Sequence, residues 1–376
     1  MTFRAAISEA RPNKRMMAKH DHLELGLFGL NARSGIAMTT VPERWSADWP
    51  EIVETARYAD KSGIDFILPI ARWRGYGGET DPTGACYETF TFSAALASLT
   101  ERARLFSTVH VPFVHPTYAA RAAATVDQAS NGRAGVNIVC GFIREEFNMF
   151  GLAEFDLDDR YNQGSEWVEV FEGLLSDDDF FTYEGEFYKV TEGVCQPVSR
   201  QRPRPKLLSA AFSPYGREFA MRKCDCLFTM FSKYEISKRH NEALRAQADE
   251  LGSEVDIFTS AHVVCRETQQ EAEDYYDYYA DEMADDGAVT YFVERIAQAS
   301  PKVGALQKIQ RKRIAGGAGS VPLIGTPKSI AEQLESIHGS GFNGIGLSFV
   351  NFKDELPYFV EKVIPLLEKG GVRKAA

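Results

Sequence analysis

Apolar and polar positions along this chain change period again and again. Eight short runs, Leu23–Leu30, Phe66–Ile70, Ala103–Val109, Gly135–Val139, Lys206–Ala211, Leu227–Phe231, Ile257–Val264 and Gly344–Val350, are apolar through most of their length. That is the pattern of strands covered on both faces. Between them apolar residues recur at helical spacing: Ile52, Val53, Ala56 and Ala59; Ala119, Ala122, Ala123 and Val126; Trp167, Val170, Phe171, Leu174 and Leu175; Ile330, Leu334 and Ile337. Gly63 and Asn131-Gly132 close the first two of these helices, Thr326-Pro327 caps the last, and Gly339 ends it. Phe90–Leu99 and Leu356–Leu367 read as further helices, the second closing the chain. Strand and helix alternating in this way predict βα units on a parallel sheet. Eight strands in 376 residues predict an α/β fold, a (β/α)8 barrel with insertions, as one domain over 1–376.

Three stretches depart from the repeat. Residues 1–21 are basic without an apolar segment, which predicts an arm or subunit contact and no secretion signal. A run of aromatic and polar residues with a Glu184-Gly185 turn predicts a hairpin inserted at about 180–205. A basic run at Arg311, Lys312 and Arg313 enters Gly316-Gly317-Ala318-Gly319, and a hinged lid over an anionic cofactor or substrate is expected at about 300–322. The polar helical stretch Glu267–Met283 carries Tyr275, Tyr276, Tyr278 and Tyr279, a spacing that suits packing on a neighbouring surface better than cofactor binding.

Composition narrows the function classes. Hydrophobic content of 44% with 25% charged residues is that of a soluble globular protein, and no apolar run is long enough to span a membrane. A net charge of −11 argues against general nucleic-acid binding, which relies on many Lys and Arg contacts to phosphate. The six cysteines form no repeating ligand set; Cys224 and Cys226 alone lie close, and two ligands one residue apart do not complete a tetrahedral metal site. No metal is expected, and the cytoplasm is the expected compartment.

Candidate chemistry lies where strands end, because barrel enzymes keep their sites at the C-terminal face. After the second strand comes Arg72-Trp73-Arg74-Gly75-Tyr76-Gly77-Gly78, whose glycines permit close backbone approach to a flat ligand. It lacks the spacing of a dinucleotide-binding turn. Asn137 interrupts the fourth strand, and an amide left unpaired there costs roughly 1–3 kcal/mol, so a protein or ligand partner is expected. Thr108 stands near the exit of the third strand. His110 and His115 follow it and suit proton carriage near neutrality, although no sequence feature pairs either with a carboxylate. Ser213-Pro214-Tyr215-Gly216-Arg217 opens a helix; its free N–H groups suit an anion, and a simple serine cap is the alternative.

The succession AATVDQASNGRAGVNIVCGF, followed by Glu145-Glu146-Phe147 and Asp159-Arg160-Tyr161, resembles the bacterial luciferase-like flavin monooxygenases. Within that superfamily it is most similar to the branch holding pyrimidine oxygenases and sulfone, nitrilotriacetate and chloroarene monooxygenases. The resemblance runs over nearly the whole chain and is strongest from Arg72 to Tyr161. It implies catalytic roles for Thr108 and Asn137, lining a pocket where oxygen meets reduced flavin. It implies cofactor contacts from Ala71, Arg72, Asn137, Glu146, Arg160, Tyr161 and Ser213, the last at the FMN phosphate.

The function so implied is a two-component monooxygenase using FMNH2 and O2, with NAD(P)H consumed by a separate flavin reductase. A flavin peroxide, on N5 by analogy, would oxidise or cleave a small organic substrate such as an N-heterocycle, sulfone or haloarene. Trp73, Tyr76 and the lid are candidates for excluding water; His110, His115 and Arg74 are candidates for polar substrate contacts. Two alternatives share the fold: a lyase that cleaves the side chain of riboflavin or FMN, and an F420-dependent hydride-transfer oxidoreductase. The resemblance also implies a homodimer or homotetramer, with no nucleic-acid or membrane partner.

Overall fold

The computed structural model describes residues 22–141, 143–153, 157–176, 180–299 and 310–374. Eight parallel strands close into a barrel: β1 (Glu24–Phe28), β2 (Phe66–Leu68), β3 (Arg104–His110), β4 (Ala134–Val139), β7 (Lys206–Ala210), β8 (Cys226–Phe228), β9 (Asp256–Cys265) and β11 (Gly344–Ser348). Between β4 and β7 stands an antiparallel hairpin, β5 (Phe181–Glu184) with β6 (Lys189–Gly193). The barrel is the expected one, each of its strands starting within a residue of the apolar run that predicts it.

A ninth parallel strand, β10 (Val321–Gly325), has no counterpart among the eight apolar runs. The ten-residue β9 accommodates it: Asp256–Phe258 pair with β8, Phe258–His262 with β11, and Ala261–Cys265 with β10. β10 therefore lies beside the barrel and outside its ring of eight.

Large and small residues alternate inside the barrel. Phe66, Phe106 and Phe258 are fully buried there, with Leu68, Leu208, Cys226 and Phe228. Each large ring lies against a glycine on an adjoining strand: a Cβ on Gly26 would fall 2.2 Å from Phe66, one on Gly135 2.6 Å from Phe106, and one on Gly344 2.6 Å from Phe258. This volume matching fills the cylinder and leaves the room for a ligand at its ends.

The outer layer follows from the helical stripes. It comprises α1 (Trp49–Lys61), α2 (Thr89–Ala97), α3 (Pro116–Ala129), α4 (Arg144–Met149), α5 (Leu157–Leu174), α6 (Pro214–Lys223), α7 (Tyr234–Glu250), α8 (Gln269–Asp277), α9 (Asp286–Ala299), α10 (Arg311–Gly317), α11 (Pro327–Gly339), α12 (Phe352–Lys362) and α13 (Ile364–Lys369). On α5, Trp167, Val170, Phe171 and Leu174 are buried as their spacing requires. Asn131 and Gly132 take φ of 57° and 88°, the left-handed exit predicted after α3. The closing segment divides into α12 and α13, contrary to the single helix expected, because Pro365 cannot donate the hydrogen bond needed to continue the first.

The arm 1–21 lies outside the described residues, as do 300–309 of the expected lid. The rest of that lid segment forms α10 and β10. Gly316 and Gly317 are buried in α10, where a Cβ would come within 3.1 Å of His262 Nε2 and 2.4 Å of His262 Nδ1 respectively, so their smallness lets the helix approach that ring.

Candidate active site

The C-terminal ends of the strands gather most of the chemistry-bearing residues, in two groups. The first begins with β3 and β4, whose register places Thr108 directly beside Asn137. Strand alternation turns both to the same face as Phe106 and Gly135, toward the barrel interior. Asn137 Nδ2 donates to Thr108 Oγ1 at 3.1 Å, and Thr108 Oγ1 donates to the Pro69 carbonyl at 2.5 Å. Asn137 has thus found the partner its position demands. Its Oδ1 is buried and has none.

His110 stands two residues beyond Thr108 on that face, and the structure supplies the carboxylate that the sequence does not reveal. His110 Nε2 lies 3.8 Å from Glu146 Oε2, and Arg72 Nη1 lies 3.8 Å from the same oxygen. Glu146 Oε1 accepts the Trp73 N–H at 3.0 Å, so the buried carboxylate also ties the glycine-rich loop to α4. Burial raises the Glu146 pKa, with Arg72 and the loop N–H groups opposing. Burial, followed by the charge of Arg72, pushes His110 down to about 3, leaving its imidazole neutral. For Arg72 burial works against the charged form, but Tyr76 and Glu146 outweigh it, and its proton is held more tightly than usual. Arg72 Nε also donates to the Tyr76 hydroxyl at 3.2 Å.

Asn31, at the exit of β1, positions the strand end from which this loop departs. Its Nδ2 donates to Ile70 O at 2.8 Å while its Oδ1 accepts Ile70 N–H at 2.9 Å. Ala71 and Arg72, both expected along a flat cofactor, follow directly. Asp285 fixes the far side of the loop by accepting from Thr80 N, Thr80 Oγ1 and Glu79 N.

The second group lies at the start of α6. Ser213 is its N-cap, accepting Gly216 N–H at 3.1 Å, and the Tyr161 phenol, its pKa raised by burial with the Ser213 side chain opposing, lies beside it. A Cβ on Gly216 would stand 2.5 Å from the Tyr161 oxygen. Arg217, four residues beyond the cap, carries a buried Nε without a partner. Sequence reasoning missed it as a site residue, although its spacing from Ser213, one helical turn, is a signal that could have found it. Arg160 stands between the groups, donating to Gly141 O at 3.0 Å just after β4. His115 is engaged elsewhere, capping α3 with its Nδ1, which accepts Thr117 N–H at 3.2 Å.

Among the described residues no cluster of His, Cys, Asp and Glu could hold a metal ion, and no helix is long and apolar enough to cross a membrane. A groove along the outside of α1, lined by Trp49, Val53 and Tyr58, contains none of the residues described above.

Residues 23–344 match the family model described as luciferase-like monooxygenase. Over 346 residues the chain is 30% identical to an FMNH2-dependent dimethylsulfone monooxygenase of Pseudomonas putida, a match covering 90% of this chain and 93% of the relative. It is 28% identical to pyrimidine monooxygenase RutA of Caulobacter vibrioides, over 93% of this chain and all of that protein. A solved riboflavin lyase, with modified FMN and riboflavin, shares the fold with a TM-score of 0.81 at 22% identity, covering 94% of this chain and 93% of the lyase. Sequence likeness over nearly the full length and the closed eight-stranded barrel agree: the chain belongs to the luciferase-like monooxygenase family and is an enzyme of the monooxygenase type.

Proposed function

We propose that this enzyme is the oxygenase of a two-component system, taking FMNH2 from a separate NAD(P)H-dependent reductase and using O2 to oxidise or cleave a small organic substrate. The observation that carries the reading is the Asn137–Thr108–Pro69 chain at the barrel mouth, with its unpartnered Asn137 Oδ1. A buried acceptor without a donor costs free energy in the empty protein and is suited to a ligand that brings an N–H. The residues present fit reduced FMN. The α6 N-terminus with Ser213 and the unpaired Arg217 Nε would hold its phosphate, while Asn137, Ala71, Arg72 and Glu146 would border its ring.

When bound, the reduced flavin supplies the electrons that dioxygen requires and that side chains cannot provide. The protein's own part is arrangement. Thr108 commits its hydroxyl proton to Pro69 O, so toward the cavity it keeps only oxygen lone pairs. Asn137 presents its free carbonyl oxygen. Neutral His110 and the paired Glu146–Arg72 leave one polar wall with no unbalanced charge. Trp73 and Tyr76, on the loop that Glu146 and Asp285 anchor, limit water at the mouth. The named relatives support sulfones and N-heterocycles as substrate types to test, with haloarenes added by the resemblance of the sequence.

Stopped-flow absorbance of the FMNH2-loaded enzyme against oxygenated buffer tests this. A transient spectrum distinct from both FMNH2 and FMN is expected in the wild type. Its formation should be slowed about 100-fold or more in Thr108→Val and Asn137→Ala, by analogy with the loss of one preorganised polar group in other enzymes. Direct conversion to FMN in wild type and variants alike would refute the oxygen site, and lumichrome as the product from riboflavin would replace the reading with that of a lyase.

A further inference from the structure

Above the polar floor the barrel mouth has a rim of different character. Trp73 is 42% exposed and Phe150 38% exposed, and their rings meet edge to face at 4.9 Å. Phe150 stacks on Phe113 at 4.4 Å with the planes 4° apart, and Phe113 meets His110 at 5.4 Å. A continuous run of rings therefore leads from solvent to the imidazole beside the Thr108–Asn137 pair.

Next to this run lies a polar cluster that the proposed oxygen chemistry does not use. Arg295 Nη1 pairs with Glu145 Oε1 at 2.9 Å, joining α9 to α4, and its guanidinium lies 4.7 Å from the Tyr291 ring centre. Three atoms of this cluster are buried without a partner: Glu145 Oε2, Tyr291 OH and Arg295 Nε. Arg74 is close enough to act electrostatically on the Tyr291 phenol, and it is exposed. Glu145 neutralises Arg295, leaving the positive charge of Arg74 over at the rim. Tyr291 OH and Arg295 Nε are donors without acceptors, which match an oxygen-rich anion; Glu145 Oε2 contributes a lone acceptor. In a chain of net charge −11, such a donor-rich patch is local.

We propose that this rim is a substrate subsite for a planar aromatic ring bearing an oxyanion such as carboxylate or sulfonate, the ring lying against Trp73 and Phe150 and the anion held by Arg74, Tyr291 and Arg295. The assignment rests on the reading of the mouth as the oxygenation site and specifies its substrate class. Ring stacking alone favours any flat molecule, whereas the unpartnered donors select for the anion.

The test measures binding and needs no turnover. In a Trp49→Phe background, which removes the other exposed tryptophan, tryptophan fluorescence is titrated with 4-nitrobenzoate and 4-nitrobenzenesulfonate, and with neutral 4-nitrobenzamide. Saturable quenching at least 10-fold tighter for the anions is expected, reduced about 10-fold by Arg74→Gln and several-fold by Tyr291→Phe. FMN affinity, titrated separately by flavin absorbance, should stay within 2-fold in both variants. Equal affinity for the neutral and anionic rings would overturn the proposal, as would anion binding that Arg74→Gln leaves intact. If Arg74→Gln weakens FMN as strongly as it weakens the anions, the guanidinium belongs to the cofactor site and the subsite is refuted. If FMN binds while none of the aromatic probes does, the subsite falls and the flavin reading stands.

Discussion

The two ends of the barrel put their buried polar groups to different use. At the N-terminal end Lys206 Nζ meets Asp256 at 2.8 Å, Arg104 meets Glu24 at 3.5 Å, and Arg204 reaches Asp225 at 2.5 Å and Glu172 at 2.5 Å. Asp225 Oδ2 also accepts the Leu207 N–H, so the pair locks the start of β7. At the C-terminal end Asn137, Arg217, Glu145, Tyr291 and Arg295 each keep a buried polar atom with no partner. Both ends are built on the same eight strands, and the same physics governs them. A buried charge paired where it sits holds the fold in register, whereas a buried polar group left unpaired makes the fold less stable and gives a ligand something to complete.

The largest effect should come from breaking a pair at the closed end. Asp225→Ala would leave Arg204 buried beside a half-exposed Glu172 and would orphan the Leu207 N–H. A loss of about 3–5 kcal/mol in urea-induced unfolding is expected, with unchanged FMN affinity in the molecules that remain folded. A loss below about 1 kcal/mol would show that the closed end does not depend on its ion pairs and would remove the contrast.

An intermediate effect concerns a titratable ring at the open end. His110 is held neutral when folded, at about 3, so on unfolding it takes up a proton whenever the pH lies between that value and its ordinary 6.5. The unfolded state then binds more protons than the folded one, and stability must fall as pH falls through this window, by about 1.4 kcal/mol per pH unit for this ring. His262, likewise lowered to about 3 by burial and then Arg313, contributes in the same direction. Glu146, raised by burial, contributes in the opposite one. The groups facing His110 are Arg72 and Glu146, with Tyr76, Cys86, Glu145 and Arg74 behind them. Denaturant midpoints at pH 7, 6 and 5 should therefore converge in His110→Asn relative to wild type; an unchanged pH slope would mean that the ring is already charged in the folded enzyme.

What the sequence reveals and what it hides follow from the range of the forces involved. Strands and helices are legible because periodicity is a local property: the stripe Trp167–Leu174 is buried on α5, and Asn131-Gly132 turns where a left-handed pair is needed. Thr108 and Asn137 can be named through resemblance, but their hydrogen bond depends on the β3–β4 register, which no single strand encodes. The His110–Glu146 contact joins residues 36 positions apart across two strand exits, and the Glu145–Arg295 pair joins α4 to α9, so neither leaves a spacing to read. β10 escapes the sequence pattern for a related reason. Val321–Gly325 is short and follows a glycine-rich stretch, and its strand character comes from the free edge that the upper half of β9 offers.

The smallest effect on stability should accompany one of the largest on function, and this joins the two ends of the comparison. Asn137 is 7% exposed and its Oδ1 has no donor, so the folded protein already bears the cost of desolvating that oxygen. Asn137→Leu keeps a similar volume, removes the unpaired acceptor, and sacrifices one hydrogen bond to Thr108, whose hydroxyl remains satisfied through Pro69 O. These changes nearly cancel, and urea unfolding should move by less than about 1 kcal/mol in either direction. Oxidation of bound FMNH2 should nonetheless lose its transient spectrum, because leucine offers neither amide nor carbonyl to the site. If Asn137→Leu instead destabilises by the several kcal/mol expected of Asp225→Ala, the amide is a structural tie between β3 and β4. The unpartnered oxygen would then be a by-product of that tie, and the open end would be held together by the same means as the closed one.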